Sequence, residues 1–270
     1  MSDPIYTYLH PGFNLKQVNS GYTLLLQVYA GSFSYAVVHG NQLMAWAQDC
    51  DLGLMDEPGE HELLTYDYKN VVTGLTATGF TLVPNVLYNE GKVADIARYL
   101  DVKPDEKVFA QVLDDENHII YKTAKSVADT AEIYGLQKTA FINKGWIEAI
   151  AKSGPTAHDL YLDIEKDRVS ILYFEEGKVR FYNSFAFSNP DELAYYAAYV
   201  AQELELQPRR LSIIVSGDFN IQDNNGIRLS EFFAVVEENY LEVVNTPPGV
   251  HPHQILALTA LSLCVSSEVH

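Results

Sequence analysis

LYLDIEKDRVSILYFEEGKVRFYNSFAF, from Leu160 to Phe187, decides the fold. An apolar run leads into Asp163, a polar bend follows, and two strand-like segments then flank Glu176-Gly177, a dipeptide suited to a tight hairpin turn. The stretch reads as a strand, a bend and a hairpin. TLLLQVYAGSFSYAVVHGNQLMAWA, from Thr23 to Ala47, has the same rhythm, with His39-Gly40-Asn41 where the later hairpin turns. Aligned without a gap, Gln27 falls on Asp163, an offset of 136 residues, and Leu26 meets Leu162 while Ser34 meets Ser170. Besides these only Leu24 and Leu160 are identical, so the likeness rests on the shared apolar pattern.

A second pairing keeps the same order. YLDVKPDEKVFAQVLDDEN, from Tyr99, lies against ELELQPRRLSIIVSGDFN, from Glu203, with Pro104 on Pro208 and an apolar strand after each. Self-similarity in fixed order is a fold-level signal. It divides the chain into a first half, 1–155, and a second, 156–270, each large enough for its own core.

Composition bounds the function. The chain has 270 residues, 47% of them hydrophobic, with 18 Tyr and 12 Phe, which is the make-up of a folded protein. Its 36 acidic residues against 18 basic ones give a formal charge of -18, which opposes binding to phosphate backbones or anionic membranes. The opening MSDPIYTYLHPGF has no basic n-region or apolar h-region, and the apolar runs are strand-sized. The expectation is a cytoplasmic protein with neither a nucleic-acid nor a membrane partner. Cys50 and Cys264 are too few for a disulfide framework and fit no metal spacing.

Along the chain, strands are expected at Tyr22–Val28, in the hairpin to Ala47, at Phe80–Pro84 and at Thr139–Ile142. Asp49 to Glu62 reads as a loop or short helix, and Tyr68 to Thr76 as helix or strand. Asn85 to Leu100 suits two short helices broken near Gly91, and Ser126 to Gly135 is helical in part. Lys107–Leu113 and Ile119–Thr123 flank a turn as a second hairpin. Asn143 is placed to cap a helix from Lys144 to Ala151 with Trp146, Ile147 and Ile150 inward. Asn189 caps a helix from Pro190 to Leu204, with proline first and Asp191 and Glu192 in its opening turn. On that helix Tyr195 and Tyr199 share a face while Tyr196 points elsewhere. Leu211–Val215 reads as a buried strand, Ile227–Asn239 as a helix, Tyr240–Asn245 as a strand and Gln254–Cys264 as a closing helix.

This succession, twice over, resembles the duplicated fold of the actin, sugar kinase and Hsp70 superfamily, an α/β, ribonuclease H-like architecture of two similar halves, each a mixed sheet flanked by helices. Within it the chain resembles the small bacterial assembly ATPases of the PilM and FtsA type, stripped of inserted subdomains. FTLVP at Phe80, the Leu160 stretch, the Ser216-Gly217-Asp218 turn and the closing QILALTAL helix are similar to an uncharacterised bacterial family, domain-of-unknown-function family 3822. The resemblance implies an actin-like ATPase fold and carries no activity with it.

Members of the superfamily bind ATP between the halves through three loops. The first phosphate loop needs an aspartate at its strand end, to hold magnesium through water, and a glycine two residues on. Here Gln27 and Tyr29 hold those places, with Gly31 two residues later. The second loop keeps Asp163 but has Glu165 where glycine is expected. The adenosine loop, normally two adjacent glycines, is represented by Ser216-Gly217-Asp218. On the residues alone, Asp163 is a strand-end residue that pins its own turn, or else a residual magnesium group. Gly217 supplies either a turn conformation or room for an adenine.

Other motifs fail on spacing. His61-Glu62-Leu63-Leu64-Thr65 lacks the second histidine of a zinc protease helix. Setting Gly226 as the glycine of a calcium loop puts Ile221 and Phe232 at ligand positions. His251-Pro252-His253 reads as an exposed loop, and Asp114-Asp115-Glu116 as a solvated hairpin tip. No catalytic or metal residue is assigned. The expectation is a non-catalytic scaffold acting through a protein partner or a homo-oligomer. The alternative is a magnesium-ATP-binding or ATP-hydrolysing assembly protein with an atypical site built from Gln27, Gly31, Asp163, Glu165, Ser216, Gly217 and Asp218.

Overall fold

The computed structural model describes residues 8–52, 64, 66–132, 135 and 138–266. By compactness the chain divides into a first unit, Met1–Glu148 with Leu258–His270, and a second, Ala149–Ala257. The division at residue 155 drawn above follows the repeat, not compactness, so the two partitions answer different questions. Among the described residues no helix is long and apolar enough to cross a membrane.

The first unit runs β1 (Tyr8–Leu9), α1 (Val18–Gly21), β2 (Tyr22–Val28), β3 (Ser32–His39), β4 (Gln42–Asp51), β5 (Asn70–Leu75) and β6 (Gly79–Pro84). It continues through α2 (Val93–Ala97), β7 (Glu106–Val112), β8 (Asn117–Ala124), α3 (Lys125–Glu132), β9 (Thr139–Phe141) and the start of α4 (Lys144–Lys152). Six strands form one sheet in the order β1-β4-β3-β2-β5-β9, and β6-β8-β7 form a second. Strand β2 lies inside the larger sheet, antiparallel to β3 and parallel to β5. A strand covered on both faces reads as a continuous apolar run, which is why YTLLLQV does not alternate. Leu24 and Leu26 pack there with Phe33, Tyr35 and Val37. Helix α4 turns Trp146, Ile147 and Ile150 inward, and each such side chain contributes about 2 kcal/mol by leaving water.

The second unit holds β10 (Asp159–Glu165), β11 (Arg168–Glu175), β12 (Lys178–Ala186), α5 (Pro190–Glu203), β13 (Ser212–Gly217), α6 (Asn224–Phe232), β14 (Val235–Glu238) and most of α7 (Pro252–Ala260). Its sheet is ordered β12-β11-β10-β13-β14. Helix α5 begins as its sequence dictates. The Asn189 side chain accepts from the Glu192 N–H, and the Glu192 carboxylate accepts from the Ser188 N–H, a reciprocal cap one residue wider than the usual box. Its buried face, Leu193, Ala194, Ala197, Val200 and Ala201, packs on Leu160, Leu162 and Ile164 of β10 within one core.

Strand order and sense repeat between the sheets, since β4-β3-β2-β5-β9 and β12-β11-β10-β13-β14 both join an antiparallel triplet to two parallel strands. The register repeats as well. Leu24↔Val37, Leu26↔Tyr35 and Gln27↔Ser34 become Leu160↔Tyr173, Leu162↔Ile171 and Asp163↔Ser170 at the offset of 136. From Tyr35 onward the third strands keep it, Tyr35↔Ala47 matching Ile171↔Asn183, and a bulge interrupts the ladder between Val37 and Val38 as it does between Tyr173 and Phe174. The further irregularity between Phe33 and Tyr35 has no counterpart, since Phe33 pairs with Cys50 but Val169 with Phe185. A bulge is a positional device of a sheet, so its recurrence at one offset is more specific than the apolar pattern. The turns differ in detail: Glu176 and Gly177 both have positive φ, 53° and 76°, as a type I′ turn requires, whereas at the earlier turn Gly40 does so without Asn41.

Several sequence expectations are corrected. The pairing of Tyr99 onward with Glu203 onward fails, because β7 lies in the three-stranded sheet while β13 is the counterpart of β5. A proline followed by an apolar strand is too common a pattern to carry register. The chain is not stripped of insertions: between β5 and β9 stand β6, α2, β7, β8 and α3, where only α6 separates β13 from β14. Residues 227–239 are not one helix, for α6 ends at Phe232 and the β-branched Val235-Val236 begin β14, paired in parallel with β13. Tyr240–Asn245 is not a strand. The region from Asn85 breaks before Asn89, whose side chain caps a 3-10 turn through the Gly91 N–H, so Gly91 opens a helix instead of interrupting one. The segment 68–76, open between helix and strand, contains β5, Asn70–Leu75.

Candidate functional site

Five of the seven candidate residues gather in the second unit, at the carboxyl ends of the parallel pair β10 and β13. Asp163 pairs with Ser216 and Ile164 with Gly217. Strands that end side by side and in parallel release their loops at one place, which is where open α/β sheets receive ligands. Asp163 and Ser216 are buried. The Asn239 amide donates to the Ser216 hydroxyl at 3.1 Å, and the Asn239 N–H donates to the Val215 carbonyl at 2.8 Å, so the end of β14 is tied to β13 at this point. Asn239 escaped the sequence reading because the misassigned helix ended on it.

Gly217 has φ of +84°, and a Cβ there would stand 2.0 Å from the Ile164 carbonyl oxygen. Only glycine can be left-handed with a neighbouring backbone that near. The chain then folds back, the Asp218 N–H donating to that same Ile164 carbonyl at 2.7 Å. Glu165 is half-buried, and its carboxyl is pushed up to about 8, chiefly by burial and next by the Asp218 carboxylate, against the pull of Lys166 and Arg168. Burial also raises the Tyr182 hydroxyl well above its usual range, with the Asp163 charge acting in the same direction.

Gln27 and Gly31 belong to the first unit. Gln27 is buried and accepts a hydrogen bond from the Tyr29 hydroxyl at 3.2 Å, so the two residues in the first-loop positions serve each other. Gly31 is exposed, and a Cβ there would meet nothing within 4 Å.

The remaining motifs fall as follows. Asp223 caps α6 through the Gly226 N–H, as a turn before a helix should. Asp114 accepts from the N–H groups of Glu116 and Asn117, closing its hairpin. His253 is not on an exposed loop: it is buried in α7, with Nε2 3.1 Å from the Phe219 carbonyl and Nδ1 3.6 Å from Glu238, and burial lowers its pKa although Glu238 opposes this. Among the described residues no three His, Cys, Asp or Glu side chains are grouped to hold a metal ion. His61, Glu62, Leu63 and Thr65 lie outside the described residues.

A protein of unknown function with an actin-like ATPase fold from Bacteroides thetaiotaomicron is 20% identical and superposes with a TM-score of 0.75 over 93% of this chain and 99% of that one. The structure described as a PilM-PilN type IV pilus biogenesis complex gives 16% identity and a TM-score of 0.57, covering 90% of this chain and 98% of the other. The ethanolamine utilization protein EutJ from Carboxydothermus hydrogenoformans gives 10% and 0.52, covering 94% and 92%. These likenesses show the actin-like ATPase fold. No curated protein matches the sequence. Residues 13–236 match the family described as Protein of unknown function (DUF3822), and the chain belongs to that family.

Proposed function

We propose that this protein is a non-catalytic actin-like module that works through contacts with another protein. The observation that carries the reading is the pair of residues at each phosphate-loop position. Where magnesium and phosphate chemistry calls for a carboxylate and then a glycine, the first unit has Gln27 bonded to Tyr29, and the second follows Asp163 with a carboxyl held up to about 8. Phosphoryl transfer depends on positioning and on neutralising developing charge, and an amide in place of the first carboxylate supplies no charge. Gly217 is accounted for by its approach to Ile164 without an adenine. A protein-contact role is in keeping with the PilM neighbour, whose structure is a complex with PilN.

A second reading has one observation in its favour. Asp163, Ser216 and Asp218 converge at the carboxyl ends of β10 and β13, a place suited to a ligand. Phosphate release from magnesium-ATP separates the two. The non-catalytic reading expects no turnover above background, and a turnover abolished by Asp163→Ala would replace it with the second.

A further inference from the structure

Within the first unit a groove of about 440 Å³ runs between β7 and the strands β5 and β9. Lys69, Lys138 and Lys144 line it, together with Val72, Phe109 and Val112, and among the described residues no Asp or Glu does. In a chain with 36 acidic and 18 basic residues that is an inverted composition. None of the three lysines has a carboxylate partner among the described residues, whereas Lys107 and Lys122 nearby are both paired. Three ammonium groups without a carboxylate among the described residues, over an apolar floor, form a local positive field in a negative molecule.

The strand edges bordering the groove are in different states. Thr139 and Phe141 of β9 are engaged by one side chain: Gln111 Nε2 donates to the Thr139 carbonyl and Gln111 Oε1 accepts from the Phe141 N–H, both at 2.9 Å. The amide stands where the next strand would pair. Among the described residues strand β7 has no such cover. The Leu113 N–H to Asn117 and Lys125 N–H to Asp105 bonds place its odd-numbered residues in bonded pairs with β8. The N–H and C=O groups of Val108, Ala110 and Val112 therefore point to the free edge of the sheet. An open edge beside an apolar groove is the geometry of strand addition, in which main-chain bonds hold the ligand and side-chain sites select it.

We propose that the groove takes an extended segment of a partner protein, rich in Asp or Glu and in β-branched residues, added as a further strand to β7. The inference rests on the protein-contact reading above and names the chemistry of the partner. The lysines select carboxylates, Val72, Phe109 and Val112 receive the apolar side chains, and Val108, Ala110 and Val112 supply the main-chain bonds.

The probe is a random library of peptides about ten residues long, enough for one strand, selected by display on the full chain. Selected sequences should be enriched in Asp, Glu and β-branched residues, and should lose about tenfold or more in affinity for Lys69→Glu combined with Lys138→Glu. Peptides N-methylated at alternate backbone positions should no longer bind. Ala110→Pro, which removes an outward N–H and leaves the ladder to β8 intact, should weaken the unmethylated ones. Basic or unbiased selections, indifference to the lysine reversals, or full binding by methylated peptides would each overturn the proposal. So would displacement by succinate or phosphate alone, which would mark a small-anion site, and self-association lost in the same lysine variant, which would put a second copy in the groove. The ATP assay reports separately: turnover together with acidic peptide selection sinks the non-catalytic reading and keeps this groove, while silence in both keeps that reading and removes this one.

Discussion

Gln27 and Asp163 hold the same place in two sheets: each lies across an antiparallel pair from a serine, Ser34 or Ser170, and alongside a parallel strand, at Gly74 or Ser216. Both are buried. One position thus carries a neutral amide that accepts from Tyr29, just beyond its strand, and the other a carboxyl group. The chemistry of the two units differs at the point where their backbones agree.

Gly217 and Gly177 separate conformation from space. Both have positive φ, but a Cβ at Gly177 meets nothing within 4 Å while one at Gly217 would strike the Ile164 carbonyl. Gly177→Ala should cost about 1 kcal/mol. Gly217→Ala should cost about 3 kcal/mol or more, since backbone strain and overlap add. Gly31→Ala, with open space and no positive φ, should fall within about 0.5 kcal/mol of the parent. Urea unfolding of the three variants checks the order.

Glu165 makes stability depend on pH. Its folded carboxyl titrates at about 8 against an ordinary 4.5, so the folded chain holds this proton more tightly than the unfolded one. Its contribution is fully present below 4.5 and declines as the pH rises toward 8, by at most about 1.4 kcal/mol per unit. Glu165→Gln should flatten that decline when unfolding free energies are compared across the window. An unchanged slope would mean that the carboxyl ionises normally.

Glu106 runs the other way. Burial alone would raise its carboxyl, but the Lys103 N–H, the Thr78 hydroxyl and the Lys122 ammonium, 2.9 Å away, outweigh burial and hold it at about 2. Its stabilisation is present above 4.5 and lost as the pH falls toward 2. Glu106→Gln leaves Lys122 buried without its counter-charge and should cost about 3 kcal/mol in urea unfolding near neutral pH.

The sequence made most of the scaffold visible where local chemistry and long-range pairing agree. Asn189-Pro190 with Glu192 marks a helix start through three independent signals, and α5 begins there. The 136-residue offset predicted a common hairpin, and the pairing of three strands follows it through the bulge. Sequence failed where two periods overlap. Phe232, Phe233, Val235 and Val236 satisfy a helical spacing as well as a strand, and only pairing with β13 decides for β14. The inserted sheet was hidden for a similar reason, since the Lys107 to Thr123 hairpin was seen but its partner β6 was not assigned to it. At the site, the conformation of Gly217 was open to reading, whereas Asn239 and the buried His253 depend on tertiary neighbours that no local window contains.

The most direct measurement for the non-catalytic account is a magnesium-ATP titration with thermal unfolding as the readout. A ligand at one hundred times its dissociation constant stabilises the folded state by about 2.7 kcal/mol, several degrees in melting temperature for a chain of this size. The account predicts no saturable shift in the parent chain or in Asp163→Ala. A saturable rise in the parent that disappears in Asp163→Ala would contradict it.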